Sequence, residues 1–573
     1  MLIERRTPCC GEHRLPDGLP PLLERIYLNR GIDSGEQLDL ALGKLLRTDA
    51  LGGMQKATAL LWQALEEERR ILVVGDFDAD GATSSALAIR ALRAMGARDI
   101  HYLVPNRFDF GYGLTAPLVE VARELDPWLI ITVDNGISST EGVATARELG
   151  IQVLVTDHHL PPEELPAAHA IVNPNLQDDA FPSKALAGVG VIFYVMAALR
   201  SRLRELGWFQ SRGIAEPNLA EYLDLVALGT VADVVPLDHN NRILVQNGLQ
   251  RIRSGRCCAG IRALLEVSGR DLERVTSSDL GFFAGPRLNA AGRLEDMSVG
   301  IECLLTDDPQ VARELAMQLD SLNRQRREIE STMKEQALAA LESLQLASET
   351  LPAGICLFDD SWHQGVVGIV ASRVKERYHR PVIVFAGEND DMLKGSARSI
   401  QGVHIRDLLD AIATEHPGLI RKFGGHAMAA GLSLPRAGLA EFRALFDRFV
   451  RMQVDEQQLR GCMLSDGALA KEELTIDHAR LLRDAGPWGQ GFPEPLFDDR
   501  FLVMNQRIVG GKHLKLQLAP EKFPELRLEA IAFNQAEEHQ LVTGQLLQAV
   551  YRLDINAWKG RESLQLILQA IIE

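Results

Sequence analysis

The sequence predicts a multidomain α/β protein: a parallel-sheet domain, a long connecting helix, a smaller α/β domain and a C-terminal β-barrel. Three observations predict it. The chain has 573 residues, enough for roughly three or four cores at about 150 residues each. Short β-branched apolar runs alternate with helical patterns in two separate regions, as expected of parallel strands with helices on their faces. Beyond about residue 460 the apolar runs follow one another without helices between them, which favours a small closed β domain.

Composition sets limits on function. Hydrophobic residues make up 46% and charged residues 24%, so the chain is globular and not mainly disordered. Lys plus Arg is 61 against 78 for Asp plus Glu, a net charge of −17. That balance argues against a protein that coats nucleic acid non-specifically, because such affinity comes from neutralising phosphates. It leaves room for a local basic groove. The longest uncharged run, residues 185–199, contains Gly188 and Gly190; it falls short of the ~20 residues a bilayer requires, so no membrane span is expected. The N-terminus has no apolar stretch behind its charges, and the seven cysteines include no CxxC. Both features point to reduced thiols in a cytoplasm.

Taken in order, residues 1–50 are punctuated by Pro and Gly and form an N-terminal extension. Strands are expected at residues 71–74, 102–104, 129–133, 153–155 and 170–172, with helices over 83–95, 116–125 and 140–149. A helical block follows to about 305. Leu315, Leu319, Leu322, Ile329 and Met333 then mark one face of a long helix over 310–346, a solvated connector or a spacer that also meets a phosphate backbone. Alternation resumes with strands at 355–358 and 382–385 around a helix over 366–378. In the last part, 502–509 and 514–518 flank Gly510-Gly511, a hairpin signal. Further strands are expected at 531–533, 548–553 and 564–572.

The chemistry sits where the strands of the first domain end. Val73-Val74-Gly75-Asp76-Phe77-Asp78-Ala79-Asp80-Gly81 places three aspartates at i, i+2 and i+4; in extended chain their side chains share one face. Carboxylates so crowded raise one another's pKa, and a divalent cation relieves the repulsion. The third strand ends in Asp134-Asn135-Gly136 and the fourth in Asp157-His158-His159, while Asp233 closes Gly229-Thr230-Val231-Ala232-Asp233. In open α/β sheets the carboxyl edge is where ligands bind. Oxygen-rich ligation with one or two imidazoles suits Mg²⁺ or Mn²⁺ better than zinc. Metal-assisted attack of water on a phosphoester is the chemistry such a site supports.

These four motifs, in this order and spacing, resemble those of the DHH phosphoesterase superfamily. Within it, from about residue 50 onward, the chain is similar to the RecJ family of single-strand-specific 5′→3′ exonucleases. The resemblance implies a DHH catalytic domain over 51–305, the connecting helix over 306–348, a DHHA1 domain over 349–455 and an OB-like domain over 456–573. It implies Mn²⁺ or Mg²⁺, one or two ions, held by Asp78, Asp80, Asp134, His158 and Asp233, with Asp134 shared. His159, beside Asp157, would orient or protonate at the scissile phosphate. Many relatives carry a histidine where this chain has Val74, so Asp76 or water would fill that place.

Other segments supply candidate contacts to a strand. Arg107 and Tyr112, in a loop past the second strand, offer a phosphate partner and a stacking ring. Residues 285–293 read as a loop with Arg287, Asn289 and Arg293 as phosphate contacts, or equally as a pair of helix caps. Ser396 and Arg398, with Gly424, Gly425 and His426, resemble the DHHA1 elements that bind nucleic-acid phosphates and would hold the 5′ end. Ser372, Arg373, Arg507, Lys512 and Lys515 are weaker DNA contacts. Family resemblance further implies hydrolysis of single-stranded DNA to 5′-mononucleotides in repair and recombination, alongside the single-strand-binding protein and a RecQ-type helicase, as a monomer. Two other readings stay open: a DHH phosphodiesterase of short oligonucleotides or cyclic dinucleotides, and a non-catalytic single-strand-binding relative. Long against dinucleotide substrates separates the first, and retention of all five metal-type ligands speaks against the second.

Overall fold

The computed structural model describes residues 2–8, 13–106, 110–348, 351–455, 458–459, 461–536, 538–558 and 560–572, except for the side chains of 343–348 and 558. The chain divides into two compact units: residues 5–323 with 464–573, and residues 1–4 with 324–463.

After the N-terminal strand β1 (Leu2–Arg5), the larger unit is built on β2 (Ile71–Val74), β3 (Ile100–Leu103), β4 (Leu129–Val133), β5 (Gln152–Thr156) and β6 (Ala170–Val172). Their spatial order is β3-β2-β4-β5-β6, and every pair is parallel. β2 and β4 are buried throughout, which is why they read as unbroken apolar runs and not as alternating ones. The chain steps outward from β2 to β3, then returns across β2 to β4. The strand order therefore switches direction between β2 and β4, at whose carboxyl ends a doubly wound sheet opens its crevice. Helices α1 (Ala79–Ala94), α2 (Ala116–Arg123), α3 (Thr140–Glu148), α4 (Gly188–Glu205), α5 (Leu223–Ala232) and α6 (Gly285–Leu294) complete what positions the site.

Two expectations change here. Residues 285–293 are not a loop: they form α6, because Pro286 presets the first turn and Ala290, Ala291 and Leu288 pack into the core. The three aspartates of the first motif do not lie along extended chain. β2 ends at Val74, Asp78 caps α1 by accepting from the Gly81 N–H at 3.0 Å, and Asp80 is already in the first helical turn. The N-terminal extension contributes to the core of the larger unit. Leu22, Leu23, Ile26, Tyr27 and Leu51 are buried in the core of the larger unit, and Arg30 forms a fully buried pair with Asp466 (2.9 Å).

The long helix α7 (Pro309–Ser348) is the expected connector: one stripe of it is buried, and its other faces are largely exposed. Ala312, Ala316, Leu319 and Leu322 are buried in the larger unit, and Met333, Ala337 and Leu341 in the smaller. The smaller unit is a five-stranded mixed sheet of β7 (Ile355–Phe358), β8 (Val382–Gly387), β9 (Met392–Arg398), β10 (Lys422–Gly425) and β11 (Ala429–Pro435), in the order β10-β11-β9-β8-β7. Its helices are α8 (Val367–Tyr378), α9 (Ile405–Glu415) and α10 (Leu439–Gln453). β12 (Cys462–Ser465) pairs with β1. The larger unit ends in a closed barrel of β13 (Phe497–Val509), β14 (His513–Pro520), β15 (Leu528–Ala532), β16 (Leu546–Trp558) and β17 (Arg561–Ile572), in the order β13-β14-β15-β17-β16. Gly510 and Gly511, both at positive φ, make the β13–β14 turn. No helix among the described residues is long and apolar enough to cross a membrane.

Candidate metal centre

The site forms at the switch point, where β4 ends in a residue that turns the backbone sharply. Asp134 follows β4 in the left-handed region, at φ 61°, which Asp and Asn tolerate better than most residues. The N-terminus of α4 closes down on it: a Cβ on Gly188 would lie 2.6 Å from the Asp134 Cβ and 2.7 Å from its Oδ1. Glycine is required for that approach. Gly188 and Val189 also donate their N–H groups to Asp80, at 2.7 and 2.9 Å, so a carboxylate of the first motif caps the neighbouring helix α4.

Ligand-type atoms converge in three overlapping sets, each within 4.8 Å: Asp76, Asp78 and Asp134; Asp134, His158 and His159; Asp80, His158 and Asp233. His158 Nε2 lies 3.1 Å from Asp134 Oδ1, 3.4 Å from Asp233 Oδ2 and 4.0 Å from Asp80 Oδ2. Asp134 Oδ1 and Asp233 Oδ2 are buried and accept no hydrogen bond. Burial, then the charges of neighbouring aspartates, holds the Asp134 and Asp233 carboxyls well above the usual carboxylate range. The same two causes push Asp80 up to about 7. Buried carboxylate oxygens without donors, crowded by like charges, with imidazole nitrogen as the other donor type, fit a divalent oxophilic cation. Asp76 stands with Asp78 and Asp134, whereas Val74 is packed among Leu72, Leu114 and Leu118.

Asp157 has a different task. It is buried, and its oxygens accept from the His158 N–H (2.7 Å), the His159 N–H (3.1 Å), the Ile137 N–H (2.9 Å) and His159 Nδ1 (2.7 Å). Burial alone would raise its pKa, but the His159 hydrogen bond and charge outweigh it and lower it. Burial works against protonated His159 as well, yet Asp157 holds its pKa up at about 9. With Nδ1 tied to the carboxylate, Nε2 is the nitrogen left to face a ligand. Tyr112, 46% exposed, donates its hydroxyl to the Asp134 carbonyl at 3.2 Å and sits edge-on to His159. Arg107 lies outside the described residues.

Sequence reasoning missed the groups that hold the two histidines and the strand ends. Asn173 and Asn175 donate to the carbonyls of His159 (2.8 Å) and His158 (2.6 Å), and the Asn135 amide ties Val74 O to Val133 O. The Asn-Pro-Asn triplet at the end of β6 was the available signal.

The remaining candidates separate clearly. On α6, Asn289 Oδ1 accepts from the Ala79 N–H at 2.7 Å, and Arg287 is buried against Asp320 and the Phe283 carbonyl. These two hold α6 onto the first motif and α7. Arg293, on the same helix, is half-buried. In the smaller unit Arg373 pairs with Glu330 and Glu376, and the Ser372 hydroxyl donates to Gly368 O. Ser396 and Arg398 lie two apart on β9, with Arg398 Nη1 donating to Ser396 Oγ at 3.0 Å. Gly368, at the start of α8, approaches both: its Cβ would lie 2.9 Å from Ser396 Oγ and from Arg398 Nη2. No carboxylate partner for Arg398 occurs among the described residues, and burial lowers its pKa. Register places Ser396, Gly431 and Gly424 in one row across β9, β11 and β10. Gly425 takes φ 142°, and the His426 N–H donates to Ala429 O. On the barrel, Arg507 and Lys515 are cross-strand neighbours, Lys515 is 3.4 Å from Glu529, and Lys512 is exposed in the turn.

Comparison with known proteins matches three family models along the chain: the DHH family N-terminal domain over residues 70–230, the DHHA1 domain over 348–452 and the RecJ OB domain over 465–570. The single-stranded-DNA-specific exonuclease RecJ of Dickeya dadantii is 57% identical over 568 residues, covering 99% of this chain and 98% of that one. The protein of the same name from Escherichia coli is 55% identical, covering 97% and 96%. Among solved structures, RecJ of Thermus thermophilus in complex with Mn²⁺ superposes with a TM-score of 0.78 at 32% identity, covering 96% of this chain and 76% of that one.

Proposed function

Because the chain belongs to the RecJ family of DHH phosphoesterases, we propose that it degrades single-stranded DNA stepwise from the 5′ end, releasing 5′-mononucleotides. The chain is an exonuclease specific for single-stranded DNA, with Mn²⁺ or Mg²⁺ as cofactor. The observation that carries the reading is the meeting of Asp76, Asp78, Asp80, Asp134, His158 and Asp233 at the switch point of the sheet.

Asp76, Asp78 and Asp134 would hold one cation and Asp80, His158 and Asp233 a second, with Asp134 and His158 linking the sets. Asp76 takes the place that Val74 leaves empty of a ligand. When bound, the cation supplies a Lewis acid for the phosphoryl oxygens and a water of lowered pKa. The chain's own groups do the rest. Asp157 fixes His159 through Nδ1, so that Nε2 can hold a proton beside the scissile phosphate and deliver it as the P–O3′ bond breaks and the water oxygen bonds to phosphorus. Tyr112 presents an aromatic face at the same rim for the terminal base.

In the smaller unit, Ser396 and Arg398 supply hydroxyl and guanidinium donors for a phosphate. Gly424, Gly425 and Gly431 keep the adjoining sheet face low enough for a backbone to approach, and His426 lies at its edge. Arg507, Lys512 and Lys515 give the barrel a basic strip for single strand. From the same family reading we infer that the enzyme acts in the cytoplasm, as a monomer, in repair and recombination beside the single-strand-binding protein and a RecQ-type helicase.

Product analysis on 5′- and 3′-labelled single strands, with Mn²⁺ and with chelator, tests polarity, strand preference and metal need together. Mononucleotides from the 5′ label at the earliest times, and none with chelator, are expected. Early release of the 3′ label, or cleavage confined to dinucleotides, refutes the reading.

A further inference from the structure

A second cavity lies within the larger unit, built from elements the metal centre does not use. It has a volume of about 380 Å³ and is lined by Tyr27, Leu38 and Leu40 of the N-terminal extension, by Arg242, Gln246 and Gln250 of the helix His239–Arg253, and by Asp484, itself paired with Arg483, and the turn at Ala485. That volume is within the range of small-molecule sites, ~300–1,000 Å³.

Its defining feature is Arg242. The residue is 4% exposed, yet its guanidinium makes no hydrogen bond and no ion pair among the described residues, and its Nε is wholly buried. One face of the guanidinium stacks on Phe492 at 4.4 Å, which leaves the N–H edge uncommitted. A buried guanidinium without an anion is costly. Asp466 meets that need for Arg30 nearby; Arg242 has no ion-pair partner among the described residues and only the longer-range charge of Asp238. Residues 242, 246 and 250 recur every four positions, so cation and carboxamides line one stripe of one helix. Asn247 spends both amide N–H groups on the Leu40 and Ile243 carbonyls. Its Oδ1 is thereby left as an acceptor.

We propose that this cavity binds a nucleoside 5′-monophosphate, with the phosphate on the Arg242 guanidinium and the base edge on the Gln246 and Gln250 carboxamides. The choice of a nucleotide, among anions, rests on the hydrolysis proposed above, whose product it is; the anion site itself does not. Leu38 and Leu40 supply the apolar flank. Because the lining comes from the extension, the catalytic domain and the segment preceding the barrel, the ligand would fasten all three together, and binding would be read as a rise in melting temperature.

The test is calorimetric titration and thermal melting of the full chain in EDTA, with deoxyadenosine 5′-monophosphate, deoxyadenosine and inorganic phosphate as probes. Wild type and Asp134→Ala should bind one equivalent of the monophosphate, more tightly than either fragment. Arg242→Met should bind at least tenfold more weakly, with Arg242→Lys between. Both Arg242 variants should degrade single-stranded DNA at the wild-type rate in Mn²⁺. Should Arg242→Met not fold, Gln246→Leu replaces it, with weaker binding again expected. Absence of binding to wild type, unchanged binding in Arg242→Met, or loss of binding in Asp134→Ala overturns the proposal. Inorganic phosphate bound as tightly as the monophosphate overturns the choice of ligand. If the chain binds the monophosphate through Arg242 but does not cleave DNA, the nuclease reading fails and the site stands.

Discussion

Asp134→Asn separates what the metal centre costs in stability from what it provides in catalysis. Asparagine keeps the shape, tolerates φ 61° and removes one negative charge from a set in which Asp76, Asp78 and Asp134 oxygens lie within 4.8 Å. At that separation two full charges repel by about 3 kcal/mol at an effective dielectric of ~20, an upper bound because the raised carboxyl pKa values keep some of the protons on. The metal-free variant should therefore be as stable as wild type or more so, against the usual trend for a change at a buried polar residue. Cation binding reverses the order. At a cation concentration of roughly 100 times Kd, wild type gains about 2.7 kcal/mol. Spread over roughly 430 residues of the larger unit, at ~2.1 cal/mol/K per residue, that is about 3 °C in Tm. Asp134→Asn should show little of that gain. Its turnover should fall by about 10³-fold or more, beyond the ~10²–10³ typical of losing one transition-state hydrogen bond. Differential scanning fluorimetry with and without Mn²⁺, beside a single-strand degradation assay, reads both. A variant that melts several degrees below wild type in chelator, or that responds fully to Mn²⁺ and still degrades DNA, refutes the reasoning.

Gly188→Ala places a methyl 2.6 Å from the Asp134 Cβ, so activity and the Mn²⁺-dependent rise in Tm should both drop although every ligand is present; overpacking of this kind costs about 1–3 kcal/mol. Asp466→Ala strands Arg30, whose side chain is 1% exposed, and should cost about 3–5 kcal/mol, read as a lower melting transition, with Arg30→Met partly restoring it in the double variant. Asp498 accepts two hydrogen bonds from Arg5, at 3.0 and 2.8 Å, and one from Ser465. Burial would raise its pKa, but these bonds lower it on balance. The stability this carboxylate provides is present above the unfolded carboxylate pKa and is lost as pH falls through the lower folded value. The Tm difference between wild type and Arg5→Met should accordingly shrink on acidification below about pH 4. A difference that stays constant down to about pH 2.5, below the ordinary carboxylate range, would show that the pair is not the acid-sensitive element.

What was legible in the sequence follows from how each element earns its stability. β2, β4 and β6 fall at residues 71–74, 129–133 and 170–172, as the apolar runs predict, since a strand covered on both faces has no polar position to blur its ends. The barrel likewise follows from its run pattern and from the Gly510-Gly511 turn. The order of the four acidic motifs identified the family, because ligand type and spacing are local properties of the chain. Three-dimensional economy was not legible. The arginine-rich 285–293 segment has the composition of a phosphate loop, yet Gly292 there would place a Cβ 1.7 Å from the Phe77 carbonyl. Composition carries no information about such contact, and contact is what makes the segment a helix braced against the first motif.

The same limit explains why charge counts misplaced the arginines. Arg287 and Arg373 sit in segments free of neighbouring acids or beside only one, and in sequence both look available to a phosphate. Their partners, Asp320 and Glu330, both lie on α7, 33 and 43 positions away. Arg242, which no motif singled out, is buried and makes no ion pair among the described residues. An arginine's capacity to bind an anion is decided by what the fold leaves uncompensated, which makes it a property of pairing across the tertiary structure and not of local basicity. By that criterion Arg398, held between Gly368 and Ser396 with no acid beside it among the described residues, is the stronger candidate for a phosphate ligand in the smaller unit. Arg398→Met should then weaken single-strand binding at unchanged melting temperature, whereas Arg373→Met should do the reverse.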